Sequence, residues 1–133
     1  MENYPATGKS AIGLDANLAA AIGYPIGILG LIDFFLDKDN KFVRFHGIQS
    51  VLYSVAVGIL FVAIWIVLII LGIIASQISG ALAALIWILD LLAFLAFMVL
   101  WLGGLLYSGY RAYQGQTFKL PVVGNFAEKI VSK

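Results

Sequence analysis

The chain holds one histidine, His46, and it stands three residues before Gln49 and seven before Tyr53. On a helix these three share a face, which makes a small polar group able to exchange hydrogen bonds or, through the imidazole, to ligate a metal or a pigment. Arg44 lies two residues upstream. Asp33 and Arg111 close two apolar stretches that topology can bring to the same membrane surface, so Asp33, Arg44, His46, Gln49 and Arg111 are expected to form a hydrogen-bonded group there, at least in part. A buried charge needs such partners. Asp90 is a different case: it is the one formally charged residue between Phe45 and Tyr110. A charged Asp at the centre of a spanning helix costs about 2.5–3.5 kcal/mol on insertion scales. Asp90 is expected to be protonated and bonded to Tyr24, Trp65 or Trp87, to reach water at the outer interface, or to pair with a donor on another chain. In the last case it would be a docking key.

Catalysis asks for more than this. Membrane-embedded hydrolases and transferases use paired acids, a nucleophile with its base, or a metal cluster. The sequence has no cysteine, no HExxH, no CxxC and no phosphate-cradling glycine loop. We expect no catalytic residues, no cofactor and no metal; His46 is the single residue that could ligate one. No small-molecule substrate is identified. A net charge of +1 gives no basis for nucleic-acid binding.

The elements that must hold these residues are dictated by hydrophobicity. Sixty-two per cent of the 133 residues are apolar, and the mean hydropathy is +1.02. Soluble domains run at roughly 45–50% apolar, and a short chain cannot hide the excess in its own core. Lipid can. Three apolar segments, about 14–36, 47–75 and 81–110, each reach the roughly 20 residues that a ~30 Å hydrocarbon core requires. The expected fold is therefore all-α: a single transmembrane domain over 1–133, an integral three-helix bundle with a tail over 111–133. The first segment is not read as a cleaved signal, because Glu2 and Asp15 flank it where basic residues would be expected. Pro25 should kink it. Small-residue stripes, Ala19-Gly23-Gly27 and Gly104-Ser108-Ala112, should let helices approach closely.

With three spans, seven of the eight Lys and Arg residues fall on one side and Lys9 alone on the other. Positive charge stays in the cytoplasm, so the N-terminus is expected outside and the C-terminus inside, in a bacterial inner membrane. Phe42 and Phe45 sit at headgroup depth as anchors, and Tyr107, Tyr110 and Tyr113 make an aromatic belt beside Arg111. Gly115 should end the third helix. Beyond it, Val122, Phe126 and Ile130 share a face opposite Asn125, Glu128 and Lys129, the pattern of a short amphipathic helix lying on the membrane surface.

Two stretches carry a resemblance. Asn40-Lys41-Phe42-Val43-Arg44-Phe45-His46-Gly47-Ile48-Gln49, followed by Gly115-Gln116-Thr117-Phe118-Lys119-Leu120-Pro121-Val122-Val123-Gly124-Asn125-Phe126-Ala127, resembles a family of small, uncharacterised bacterial membrane proteins. That family is distantly similar to the twenty-kilodalton membrane component of the chloroplast inner-envelope protein translocon. The resemblance implies that Phe42, Arg44, Phe45, His46, Gln49, Gly115, Pro121 and Gly124 matter as helix-boundary and interface residues. It implies an accessory or scaffold subunit of a larger membrane complex, with translocon-like protein insertion or import as one role. A small homo-oligomeric channel or carrier is the other class left open. The expected partners are the bilayer and other membrane subunits or a second copy.

Overall fold

A computed structural model describes residues 3–133, with Glu2, named above as a flanking charge, outside them. The described residues form five helices: α1 Ala16–Ile22, α2 Gly27–Leu36, α3 Lys41–Ile78, α4 Gly80–Tyr113 and α5 Val123–Val131. The long pair forms the frame. Asn40 starts α3 by accepting the Val43 N–H at 3.3 Å, and no proline interrupts the next 38 residues. A single extended residue, Ser79, then turns the chain. Its N–H donates to the Ala75 carbonyl at 3.0 Å, while its hydroxyl accepts the Leu82 N–H at 3.1 Å. One residue thus closes α3 and caps α4.

The resulting antiparallel hairpin is zipped by rings and by close backbone approach. Phe61 stacks on Phe97 at 4.1 Å between centroids. The indole of Trp87 lies where a side chain on Gly72 would be. The Tyr53 hydroxyl donates to the Leu100 carbonyl, and the Trp101 indole donates to the Ser54 hydroxyl at 3.3 Å. At 1.5 Å per residue α3 and α4 run about 57 and 51 Å, longer than the ~30 Å hydrocarbon core. One end therefore stands clear of it.

The first apolar segment forms no helix long enough to span. The expectation of three spanning helices is corrected to two, α3 and α4. Pro25 cannot donate a helical hydrogen bond, and the segment breaks there into pieces of 7 and 10 residues. Neither is more than about half of the roughly 20 residues that a crossing needs. The two pieces fold back on each other, with Gly23 set against Gly30. Their outer ends then meet: the Ala11 N–H donates to Asp37 Oδ1 at 2.7 Å, and the Asn40 amide donates to the Thr7 carbonyl at 3.2 Å. Tyr4 pairs with Thr117 through two hydrogen bonds. The N-terminal tail and the C-terminal tail consequently lie at the same end of the hairpin, which corrects the expectation that a third span separates them.

This end, which we call the base, holds nearly all of the core. Tyr24, Phe42, Val43, Phe45, Ala112, Leu120 and Ala127 are buried there, whereas the far half of the hairpin leaves Ile59, Leu60, Ile66, Ile70, Leu85, Leu92 and Val99 exposed. Water would not tolerate so continuous an apolar surface; lipid covers it without cost. The small-residue stripes are used at the base. Ala19 and Gly23 of the first are buried and Gly27 is not; Ser108 and Ala112 of the second are buried. The amphipathic helix is present as α5, but it docks on α3 by a different face, Gly124, Ala127 and Val131. Its apolar stripe, Val122, Phe126 and Ile130, stays exposed.

Candidate functional site

The polar group of the base is built around α3. The helix phase set by the Asn40 cap points His46 and Gln49 inward, and both are fully buried. The turn at Pro25 delivers Tyr24 to them. Gln49 Nε2 donates to the Tyr24 hydroxyl at 2.6 Å and to the Phe118 carbonyl at 2.9 Å, and Gln49 Oε1 accepts the Leu120 N–H at 3.0 Å. The Tyr24 hydroxyl in turn donates to His46 Nδ1 at 2.7 Å, and His46 Nε2 faces the Gln116 carbonyl at 3.1 Å. A carbonyl only accepts, so the proton sits on Nε2 and Nδ1 receives the phenol. Burial pushes the Tyr24 phenol above its usual range, against the smaller opposing pull of the Gln49 amide, so it remains a donor.

Both imidazole nitrogens and both ends of the Gln49 amide are therefore engaged. The side chain of Gln49 meets Phe118 and Leu120 as a neighbouring strand would, one acceptor and one donor two residues apart. The chemistry of the arrangement is a clamp: it fixes the extended stretch after α4 against α3 without regular secondary structure. Phe42 and Phe45 wall it, each edge-on to the imidazole at 4.6 and 5.1 Å.

The residues of the second sequence stretch shape the clamped segment. Gly115 adopts a left-handed φ of 77° and ends α4, as expected. Pro121, Val122 and Val123 form a tight reversal in which the Val123 N–H donates to the Pro121 carbonyl at 2.7 Å. Val122 is forced to φ 65°, ψ −59°, a strained conformation for a β-branched residue. The reversal brings Gly124 so close that a Cβ there would lie 2.8 Å from Gln49 Oε1. Lys119 and Glu128 then close the loop with an ion pair at 2.5 Å.

The expected five-residue group forms only in part. His46 and Gln49 join, but through Tyr24 and backbone; Asp33, Arg44 and Arg111 stand apart. The Arg44 guanidinium stacks on Phe34 at 4.9 Å. Arg111 lies over Tyr107 and Phe118 at 5.7 and 5.4 Å and donates to the Tyr107 hydroxyl at 3.1 Å. Planar guanidinium on an aromatic face is a favourable alternative to a carboxylate at this depth. Spacing does not mark Tyr24 as a member; its place immediately before Pro25, where the chain must turn, is the one signal in the sequence.

Asp33 is packed where α1, α2 and α3 meet at Gly23, Gly30 and Gly47. It is fully buried, and neither carboxylate oxygen has a hydrogen-bond partner. Burial raises its pKa to about 7, with Asp37 adding a smaller push. The folded protein thus holds this proton at pH values where the unfolded chain, at about 3.9, has lost it. Stability falls with rising pH wherever the native state binds more protons. Melting of the purified protein should accordingly drop as pH rises from about 4 to about 7 and level off above. Asp33→Asn, which needs no proton, should flatten that slope; an unchanged slope would assign it to other groups.

Asp90 lies far from the base, in the bare half of α4, and is half-buried. Its Oδ1 is enclosed and has no hydrogen-bond partner. Tyr24, one of the partners considered for it, is committed to the clamp. Among the described residues no three His, Cys, Asp or Glu side chains converge on a point that could hold a metal ion.

Comparison with known proteins places these features. Residues 10–127 match the model of the magnetosome magnetite crystal formation protein family, a span that includes the clamp, the hairpin and most of α5. The chain is 37% identical over 123 residues to a UPF0132 membrane protein of Methanocaldococcus jannaschii, covering 92% of this chain and 94% of the relative. A second from that organism is 32% identical over 90% of this chain and 72% of its own length. One from Archaeoglobus fulgidus is 36% identical over 85% and 92%. No solved structure matches the chain. The relatives are membrane proteins, in agreement with the hydropathy, and they are archaeal where a bacterial membrane was expected.

Proposed function

The chain belongs to the magnetosome magnetite crystal formation protein family, and from that premise we propose that it is a non-catalytic accessory or scaffold subunit of a larger membrane complex, anchored by the α3–α4 hairpin and presenting its base to the cytoplasm. The family's description says what its namesakes take part in; for this chain we carry over only the accessory place. Translocon-like help in protein insertion is one form such a role would take, though no match points to a translocon.

The observation that carries this reading is the placement of charge. With the first segment folded back, Lys9, Lys38, Lys41, Arg44, Arg111, Lys119, Lys129 and Lys133 all belong to the base end, and the opposite turn is Ser76-Gln77-Ile78-Ser79-Gly80. Orientation follows the basic residues, so both termini lie in the cytoplasm and the Ser79 turn outside. A folded, basic base on a two-helix anchor is suited to holding a partner at the membrane surface, and Tyr24, His46 and Gln49 are spent on internal hydrogen bonds. Reporters fused before Met1 and after Lys133 should give the same cytoplasmic signal, and one inserted at Gln77 the opposite. Different compartments for the two termini would overturn the two-span arrangement. Pull-down from native membranes tests the accessory role: reproducible capture of larger membrane subunits supports it, and recovery of this chain alone as a defined oligomer favours the channel or carrier.

A further inference from the structure

Halfway along the bare part of the hairpin, Phe61, Trp65, Trp87, Asp90, Leu91 and Phe94 line an open notch of about 380 Å³. That size falls in the range of small-molecule sites. Its walls are aromatic: Phe61 stacks with Trp65 at 6.3 Å and meets Phe94 edge-on at 6.1 Å. Its one ionisable group is the Asp90 carboxyl, whose enclosed oxygen lacks a partner. Asp90 lies ten residues into α4 from Gly80, about 15 Å from the turn and thus near the bilayer midplane. The nearest basic residues in sequence are Arg44 and Arg111, both held at the base.

We propose that this notch binds a bulky organic cation, of the quaternary ammonium or phosphonium class, that reaches it from the lipid. Charge complementarity selects a cation. Ring faces carry negative quadrupole potential, and aromatic walls are a recurring way of holding quaternary cations. A hard metal ion is a poor fit, because Ca²⁺ and Mg²⁺ require about six oxygen ligands and the notch supplies one carboxyl. A lipid headgroup is a poor fit too, because it resides at the interface and not at this depth. A delocalised, weakly hydrated cation can dissolve in the acyl region, where the notch opens. This inference is independent of the accessory reading, which concerns the base.

The test uses the full-length protein in detergent and in vesicles, with tetraphenylphosphonium as the probe and triphenylphosphine oxide as a neutral analogue. Saturable binding is expected, read by equilibrium dialysis and by quenching of indole fluorescence, with the neutral compound weaker by about tenfold or more, the effect of losing one charge contact. Asp90→Asn should weaken the cation by a similar factor and leave the neutral compound unchanged. Trp65→Leu keeps an apolar side chain and should weaken it by about three- to thirtyfold. Equal binding of cation and neutral analogue, or full affinity in Asp90→Asn, overturns the proposal. So does a second outcome: if Asp90→Asn alters the oligomeric state while cation binding is absent from the wild type, another copy of the chain covers the notch.

Discussion

Replacing Gln49 with alanine should free the C-terminal segment from the rest of the base. Gln49 supplies one donor and one acceptor to a stretch with no ladder of its own, binding the Phe118 carbonyl and the Leu120 N–H, and it also donates to the Tyr24 hydroxyl. Truncation leaves those buried backbone groups unsatisfied, and each such group costs about 1–3 kcal/mol. The expected loss is about 3 kcal/mol overall, since part of the segment can relax toward water. Hydrogen exchange reads this residue by residue. The Leu120 amide should lose about two orders of magnitude of protection, and α5, which depends on the same segment for its approach to α3, should lose protection with it. The hairpin amides around Phe61 and Phe97 should not change. Gln49→Glu keeps the acceptor for Leu120 and sets a carboxylate against the Phe118 carbonyl, so it should be nearly as damaging. If Leu120 stays protected in Gln49→Ala, the segment is held by packing and the clamp is incidental.

Gly47→Ala is expected to be the most disruptive single-methyl change in the chain. A Cβ at Gly47 would stand 2.4 Å from the Gly30 carbonyl oxygen and 3.2 Å from Asp33 Cβ. Both are on α2, and the carbonyl belongs to backbone that cannot swing away. The helices must separate, taking Gly23 and the α1 contacts with them. Overpacking a tight interface costs about 1–3 kcal/mol, and the upper end is expected because the obstacle is backbone. Gly58, eleven residues further along α3, meets nothing within 4 Å. Gly58→Ala should be neutral or stabilising by up to about 1 kcal/mol, the ordinary helix preference for alanine. Unfolding of the two variants side by side in mixed micelles checks the pair. Equal stabilities would mean that α2 does not rest on α3 at Gly47.

Much of this protein is written in its composition. A run of apolar residues as long as 47–75 or 81–110 can satisfy its backbone in lipid only as a helix, so two spans, their antiparallel order and their placement follow directly from hydrophobicity. Local chemistry also fixes the ends: Asn40 and Ser79 accept the first free N–H groups of α3 and α4, and Gly115 supplies the positive φ that stops α4. The amphipathic period of 122–130 likewise gives a helix, α5, at the place expected.

The first apolar segment could not be decided this way. Its 23 residues are long enough to cross, and hydropathy has no term for Gly23, Gly30 and Gly47 fitting against one another, which rewards folding back. That contact needs the glycine that caps α1 to meet one from α2 and one from α3, and only the tertiary structure brings them together. The same event places Tyr24 beside His46 and Gln49, puts both termini at one end and leaves Asp33 buried away from Arg44 and Arg111. The two arginines could be assigned to a carboxylate on sequence grounds because charge pairing is the default for a buried ion. The fold offers them the rings of Phe34, Tyr107 and Phe118 instead. Sequence settles which residues must avoid water; which polar residues then meet is decided by where the chain reverses, and here that depends on one proline and the backbone contacts it permits.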